Sequence, residues 1–174
     1  MPVYLKEVND FSRLEGLKSV LIVPCRFCPA ASLAISRKAP YFQFLTRLLK
    51  TASYEQYLEE VKAGIEEMGI RADIFRSRLP HQFVVCMWTS GRRNKLAETA
   101  EGYDAVIVMG CETAAQTVYE SVRHMQCRVY KGMRSEGIMS IKPVFHLPLN
   151  ISLELTAVTP LVYESPDSTP WINL

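Results

Sequence analysis

Five cysteines carry most of the chemistry this chain can offer: Cys25, Cys28, Cys86, Cys111 and Cys127. The first two form a Cys-x-x-Cys pair, which suits a metal site or a redox dithiol better than a disulfide framework where thiols stay reduced. Thiolates are soft ligands, and four of them can complete a tetrahedral zinc site or hold an iron-sulfur cluster. Cys25, Cys28, Cys86 and Cys111 are the candidate ligands: Cys25, Cys86 and Cys111 each lie at or near the end of an apolar run that reads as a strand, and Cys28 follows Cys25 by one turn of chain. Taken singly, Cys86 or Cys111 also reads as a small buried apolar residue, the common fate of a free cysteine in a core. A further reading makes Cys25-Arg26-Phe27-Cys28 a redox dithiol, with the charge of Arg26 lowering the thiol pKa. Cys127 reads as a strand residue.

Other reactive groups are sparse. His81 precedes the Cys86 run and is the best alternative ligand; His124 suits a helix C-terminus and His146 a hydrogen-bonded loop. There is no glycine-rich phosphate loop, no paired-histidine zinc motif and no nucleophile elbow. Glu112 and Gln116, one helical turn apart, read as a solvated helix face.

The elements that must position the cysteines follow from hydrophobic pattern. Residues 19–24 (Ser-Val-Leu-Ile-Val-Pro) and 104–109 (Asp-Ala-Val-Ile-Val-Met) are nearly continuous apolar runs, the pattern of parallel strands covered on both faces. Residues 71–75 and 82–88 read as further strands, the second with Cys86 near its end. Helical patterns fall in 30–50, interrupted by Pro40, in 54–68 with its apolar stripe Tyr54, Tyr57, Leu58, Val61, Ile65 and Met68, from Thr89 or Ser90 to about Ala100, and over 112–124. Strand, cysteine, helix thus recurs. The last third changes character: 128–133 and 137–141 flank Arg134-Ser135-Glu136 like the arms of a hairpin, expected to project from the domain. Residues 142–145 and 153–163 have strand composition, and 165–174 read as an irregular tail.

The expected fold is α/β, a mostly parallel doubly wound sheet with a C-terminal β-hairpin extension, in one domain spanning 1–174. Such sheets bind ligands beyond the carboxyl ends of their strands. Twenty basic against 18 acidic residues leave a net charge of +2 with one short basic cluster, Arg92, Arg93 and Lys95, which argues against a nucleic-acid partner. No apolar window approaches the roughly 20 residues that cross a bilayer, and residues 1–7 lack the pattern of a secretory signal, so the expectation is a cytoplasmic protein without membrane association.

The segments Val20-Leu21-Ile22-Val23-Pro24-Cys25-Arg26-Phe27-Cys28, then Cys86, then 103–118 with Met109-Gly110-Cys111-Glu112-Thr113, and finally Lys142-Pro143-Val144, resemble one known family. It is the cysteine-rich C-terminal domain or separate small subunit associated with bacterial and archaeal methylenetetrahydrofolate reductases. The likeness spans about residues 17–150. It implies a metal-binding partner of a flavin-dependent reductase, with zinc or iron-sulfur centres on cysteines matching Cys25, Cys28, Cys86 and Cys111. The family's usual further cysteine, four residues after the second, is Ser32 here.

The leading expectation is therefore an accessory metal-binding protein of one-carbon metabolism, beside a folate reductase or a methyl-transfer protein. The alternatives are an independent small-molecule-binding domain or enzyme with a reactive thiol, Cys111 or Cys25, at the same sheet edge, and an interaction module that forms a homo-oligomer through the 128–141 hairpin.

Overall fold

A computed structural model of the chain describes residues 2–8, 11–43, 51–76, 82–146 and 150–160. The two apolar runs form the centre of a parallel sheet. Strand β2 (Ser19–Pro24) pairs with β5 (Ala105–Met109) on one side and with β4 (Arg71–Ile74) on the other, and β6 (Arg128–Lys131) pairs with β5. The order β4-β2-β5-β6 means that the chain first winds outward from β2 to β4, then crosses back over β2 to reach β5 and β6. The winding reverses between β2 and β5. In open α/β sheets that reversal opens a crevice at the carboxyl ends of the two strands.

Helices α2 (Ala52–Glu67), α3 (Ser90–Ala100) and α4 (Glu112–Val122) connect these strands, α2 packing on β4 and α3 on α4. The stripe of α2 is buried as its spacing requires: Tyr54, Tyr57, Leu58, Val61 and Ile65 all lie in the core. The amino ends of β2 and β5 are tied by Asp104, whose carboxylate accepts the N–H groups of Lys18 at 2.7 Å and Ser19 at 2.9 Å.

A second, antiparallel sheet has the order β1-β7-β8-β3 and consists of β1 (Val3–Glu7), β7 (Met133–His146), β8 (Asn150–Pro160) and the short β3 (Phe42–Gln43). It covers helix α1 (Cys28–Ser36), which packs on β1 and β8 as well as on α2. This accounts for the composition of α1, Cys-Pro-Ala-Ala-Ser-Leu-Ala-Ile-Ser. A helix enclosed between layers needs no polar face, and every residue from Pro29 to Ala34 is buried.

Two sequence expectations change here. Residues 128–141 are not a projecting hairpin: 128–131 are β6 of the parallel sheet, and Arg134, Ser135 and Glu136 lie inside β7. The C-terminal hairpin is formed by β7 and β8 and folds back over α1. The misleading glycines serve close approach instead of a turn. A Cβ on Gly137 would stand 2.3 Å from the Thr159 carbonyl oxygen, and one on Gly132, where the chain leaves one sheet for the other, 2.3 Å from the sulfur of Met109. Secondly, 82–88 is not a strand. Val85–Met87 forms a 3-10 turn, and the segment is anchored by its ends. The Phe83 carbonyl accepts the Arg26 N–H at 2.8 Å, and the Trp88 indole donates to the Gln82 carbonyl at 2.7 Å. The expected tail, 165–174, lies outside the described residues. No helix among the described residues is long and apolar enough to cross a membrane.

Candidate functional site

The register of β2 and β5 pairs Pro24 with Met109, so the next residues, Cys25 and Gly110, leave the sheet side by side at the reversal point. The Cys25 N–H continues the ladder to the Met109 carbonyl at 3.0 Å. A Cβ on Gly110 would lie 3.3 Å from the Cβ of Cys25 and 2.8 Å from that of Ala114, so glycine is what lets the two strand ends and the first turn of α4 approach this closely. Cys111 then takes the N-cap position of α4, and Cys28 opens α1.

Four thiols lie close enough around this crevice to influence one another's ionisation. The Cys28 thiol hydrogen-bonds to Cys111, Cys25 feels the charges of Cys111 and Cys86, and Cys86 feels that of Cys111. Their environments differ. The hydrogen bond from Cys28, with the N–H groups of Ala114 and Thr113 in the first turn of α4, outweighs burial and lowers the Cys111 thiol to about 6. Cys28, the donor of that pair, is held protonated well above its ordinary value by the same bond and by burial. Burial pushes Cys25 up to about 11 against the opposing pull of the Val85 and Phe27 N–H groups. Cys86, on the 3-10 turn, is the exposed member. It reaches the site through the packing of that turn on α4 and not from a strand end.

Cys127 is elsewhere. It precedes β6 at the amino-terminal edge of the sheet, where burial and the charge of Asp104 raise it to about 11. His81 lies outside the described residues. His124 follows the C-terminal end of α4, and His146, hydrogen-bonded to Ser152 at 2.7 Å, ends β7.

Arg26 does not act as a redox-dithiol reading requires. Its side chain is 5% exposed, and it gives Nε to Glu55 at 2.6 Å and Nη2 to the same carboxylate at 3.3 Å, so its charge is taken up by an acid of α2. Glu112, assigned from sequence to a solvated face, is half-buried and tied to Lys131 and to Ser135, the latter at 2.6 Å; these bonds fasten the start of α4 to β6 and β7. Gln116 reaches Glu120 at 3.1 Å, as a surface residue does.

Sequence reasoning missed two tyrosines and one serine. Tyr41, raised to about 12 by burial and by the neighbouring Cys28 and Cys25, walls the crevice, and the Tyr54 hydroxyl donates to the Met109 carbonyl at 3.1 Å beneath it. Both lie more than ten residues from any cysteine, beyond what local spacing reveals. Ser32 accepts the Leu5 N–H at 3.0 Å and donates to the Cys28 carbonyl at 2.9 Å, joining β1 to the first turn of α1. That role needs an oxygen.

The donor set fits a thiophilic metal in kind: four sulfurs, with backbone N–H groups disposed to stabilise thiolates. As it stands the cluster is open. Among the described residues, no three His, Cys, Asp or Glu side chains are arranged to hold an ion. No family model, curated protein or solved structure matches the chain.

Proposed function

We propose that this chain is an accessory metal-binding protein of one-carbon metabolism, working beside a flavin-dependent folate reductase or a related methyl-transfer protein. Cys25, Cys28, Cys86 and Cys111 are the ligands in this reading. The supporting observation is that these four thiols influence one another's ionisation around the point where the sheet reverses its winding. When bound, zinc would supply a structural clamp and an iron-sulfur cluster a one-electron carrier.

The chain's own part is to prepare the sulfurs. It buries Cys25 and Cys111, orients Cys111 on a helix N-terminus, and screens Cys25 and Cys28 from water with Tyr41. Loading then rests on Cys86, the exposed member, which is carried by a short turn and not by the sheet. The partner reading rests on the sequence resemblance.

The test is metal and acid-labile sulfide content of anaerobically purified protein. Wild type and a Cys127→Ser control are expected to carry iron with sulfide, or zinc without it, while Cys25→Ser and Cys111→Ser lose it. A wild-type protein with neither metal removes the proposal.

A second reading has its own observation: Cys111 is the one thiol of the cluster shifted toward its thiolate, with Cys28 hydrogen-bonded to it. It makes Cys111, and not Cys25, the reactive thiol of an enzyme. In metal-free protein, iodoacetamide should then modify Cys111 first, with a rate that rises through pH of about 6, while Cys25 responds only near pH 11. Peptide mapping that finds Cys111 no faster than Cys127 at pH 7 excludes it.

A further inference from the structure

A second concavity lies away from the cysteines, on the outer flank of the parallel sheet. Its volume is about 810 Å³, within the range of about 300–1,000 Å³ typical of small-molecule sites. The floor is Leu21 and Asp73, neighbours in the β2–β4 register, and one wall is a single face of α3 presenting Arg92, Lys95 and Thr99. Phe75, Arg76 and Gln82 close one end and Tyr103 the other. None of the four clustered cysteines lines it.

The charge of this groove is one-sided. Among the described residues, Arg76, Arg92 and Lys95 line it, against one acid, Asp73. That acid is already engaged, accepting the Tyr103 hydroxyl at 2.8 Å with Arg71 Nε 3.7 Å away. Arg92 is held in place: its Nη2 donates to the Arg76 carbonyl at 2.6 Å, and its guanidinium stacks 4.1 Å from the Phe75 ring centroid and 5.3 Å from that of Trp88. Stacking orients a guanidinium's planar fork. Burial and the nearby charge of Arg26 both disfavour the cationic form of Arg92. Lys95 pairs with Glu98 across one turn, both well exposed, a contact weak enough to be exchanged for a ligand. Three cations around a cavity this size suit a compact anion and are too few for a nucleic-acid backbone.

We propose that the groove between β4 and α3 is a binding site for a small organic anion, its phosphate or carboxylate groups held by Arg76, Arg92 and Lys95 and its body lying over Leu21 toward Tyr103. The test is titration calorimetry on the full chain at low ionic strength with pyrophosphate, ATP and citrate, two phosphate probes and one carboxylate probe. One class is expected to bind one-to-one with Kd below about 1 mM. Lys95→Glu and Arg76→Glu should each weaken it by about tenfold or more, the loss of one charge-assisted hydrogen bond. Both side chains are surface groups, and unchanged thermal unfolding confirms that the variants fold. Cys111→Ser, outside the groove, should bind as wild type does, which separates this site from the metal centre. The proposal is overturned if none of the probes binds at millimolar concentration, or if binding survives undiminished in both charge-reversal variants.

Discussion

At the residue scale, the crevice depends on one atom that is missing. Gly110 stands between the two strand ends that deliver Cys25 and Cys111, and a methyl group there meets two Cβ atoms. Gly110→Ala should therefore cost about 1–3 kcal/mol, the usual penalty for overpacking, and should part Cys25 from Cys111. Urea unfolding measures the first effect, and loss of metal at retained fold the second; a variant as stable as wild type would show that the approach is not tight. The places of Cys25 and Cys111 in the fold were legible in the sequence, because each follows a continuous apolar run whose end is hard to mistake, and Cys28 was placed by its spacing from Cys25. Cys86 was singled out for a reason that fails: it sits on a 3-10 turn and not at a strand end. Tyr41 and Ser32 were not legible, since their roles depend on contacts with Cys25, Cys28 and Leu5 that arise only once the layers pack.

At the element scale, the junction between β2 and α2 is held by a buried ion pair. Arg26 and Glu55 meet at 2.6 Å with side-chain exposures of 5% and 20%. Removing one member of such a pair strands the other's charge in the interior, at a cost of about 3–5 kcal/mol, whereas replacing both by apolar groups is often neutral. Glu55→Ala should therefore destabilise strongly, and Arg26→Met combined with Glu55→Leu should recover most of the loss in the same denaturation experiment. Equal penalties for the single and double variants would contradict this account. Elements whose pattern is set by their own surroundings, β2, β5, α2 and α4, were readable from periodicity. The 82–88 segment was not: its Phe, Val, Val and Trp satisfy the composition of a strand, but the segment is held at Phe83 and Trp88 and turns at Val85–Met87.

At the scale of the whole molecule, one core runs through both sheets, with α1 as the layer they share. Leu5 of β1 is 3% exposed and packs into it from the antiparallel side. Leu5→Ala should lower stability by about 2–3 kcal/mol. Because the Val3 N–H stabilises the Cys28 thiolate, loosening β1 in this way should lower the alkylation rate of Cys28 below that of the unaltered protein. Unchanged Cys28 reactivity would mean that the antiparallel sheet does not support the site. The 128–141 region misled because the polar run Arg134-Ser135-Glu136 looks like a turn from sequence, whereas it continues β7 and the flanking Gly132 and Gly137 serve close approach. Among the exposed apolar groups of the described residues, Phe145 at 76% lies near the tip of the β7–β8 hairpin.

The pairing of β1 with β7 also sets an order of assembly. Val3 lies opposite Ile138, so the strand beside Cys28 finds its place only when a strand far along the chain has formed. Contacts this distant along the chain form late and slowly. A nascent chain can emerge with Cys25, Cys28, Cys86 and Cys111 all present, yet with α1 uncovered until β7 has followed. The cysteine cluster is thus enclosed only once β7 has been made and has found β1.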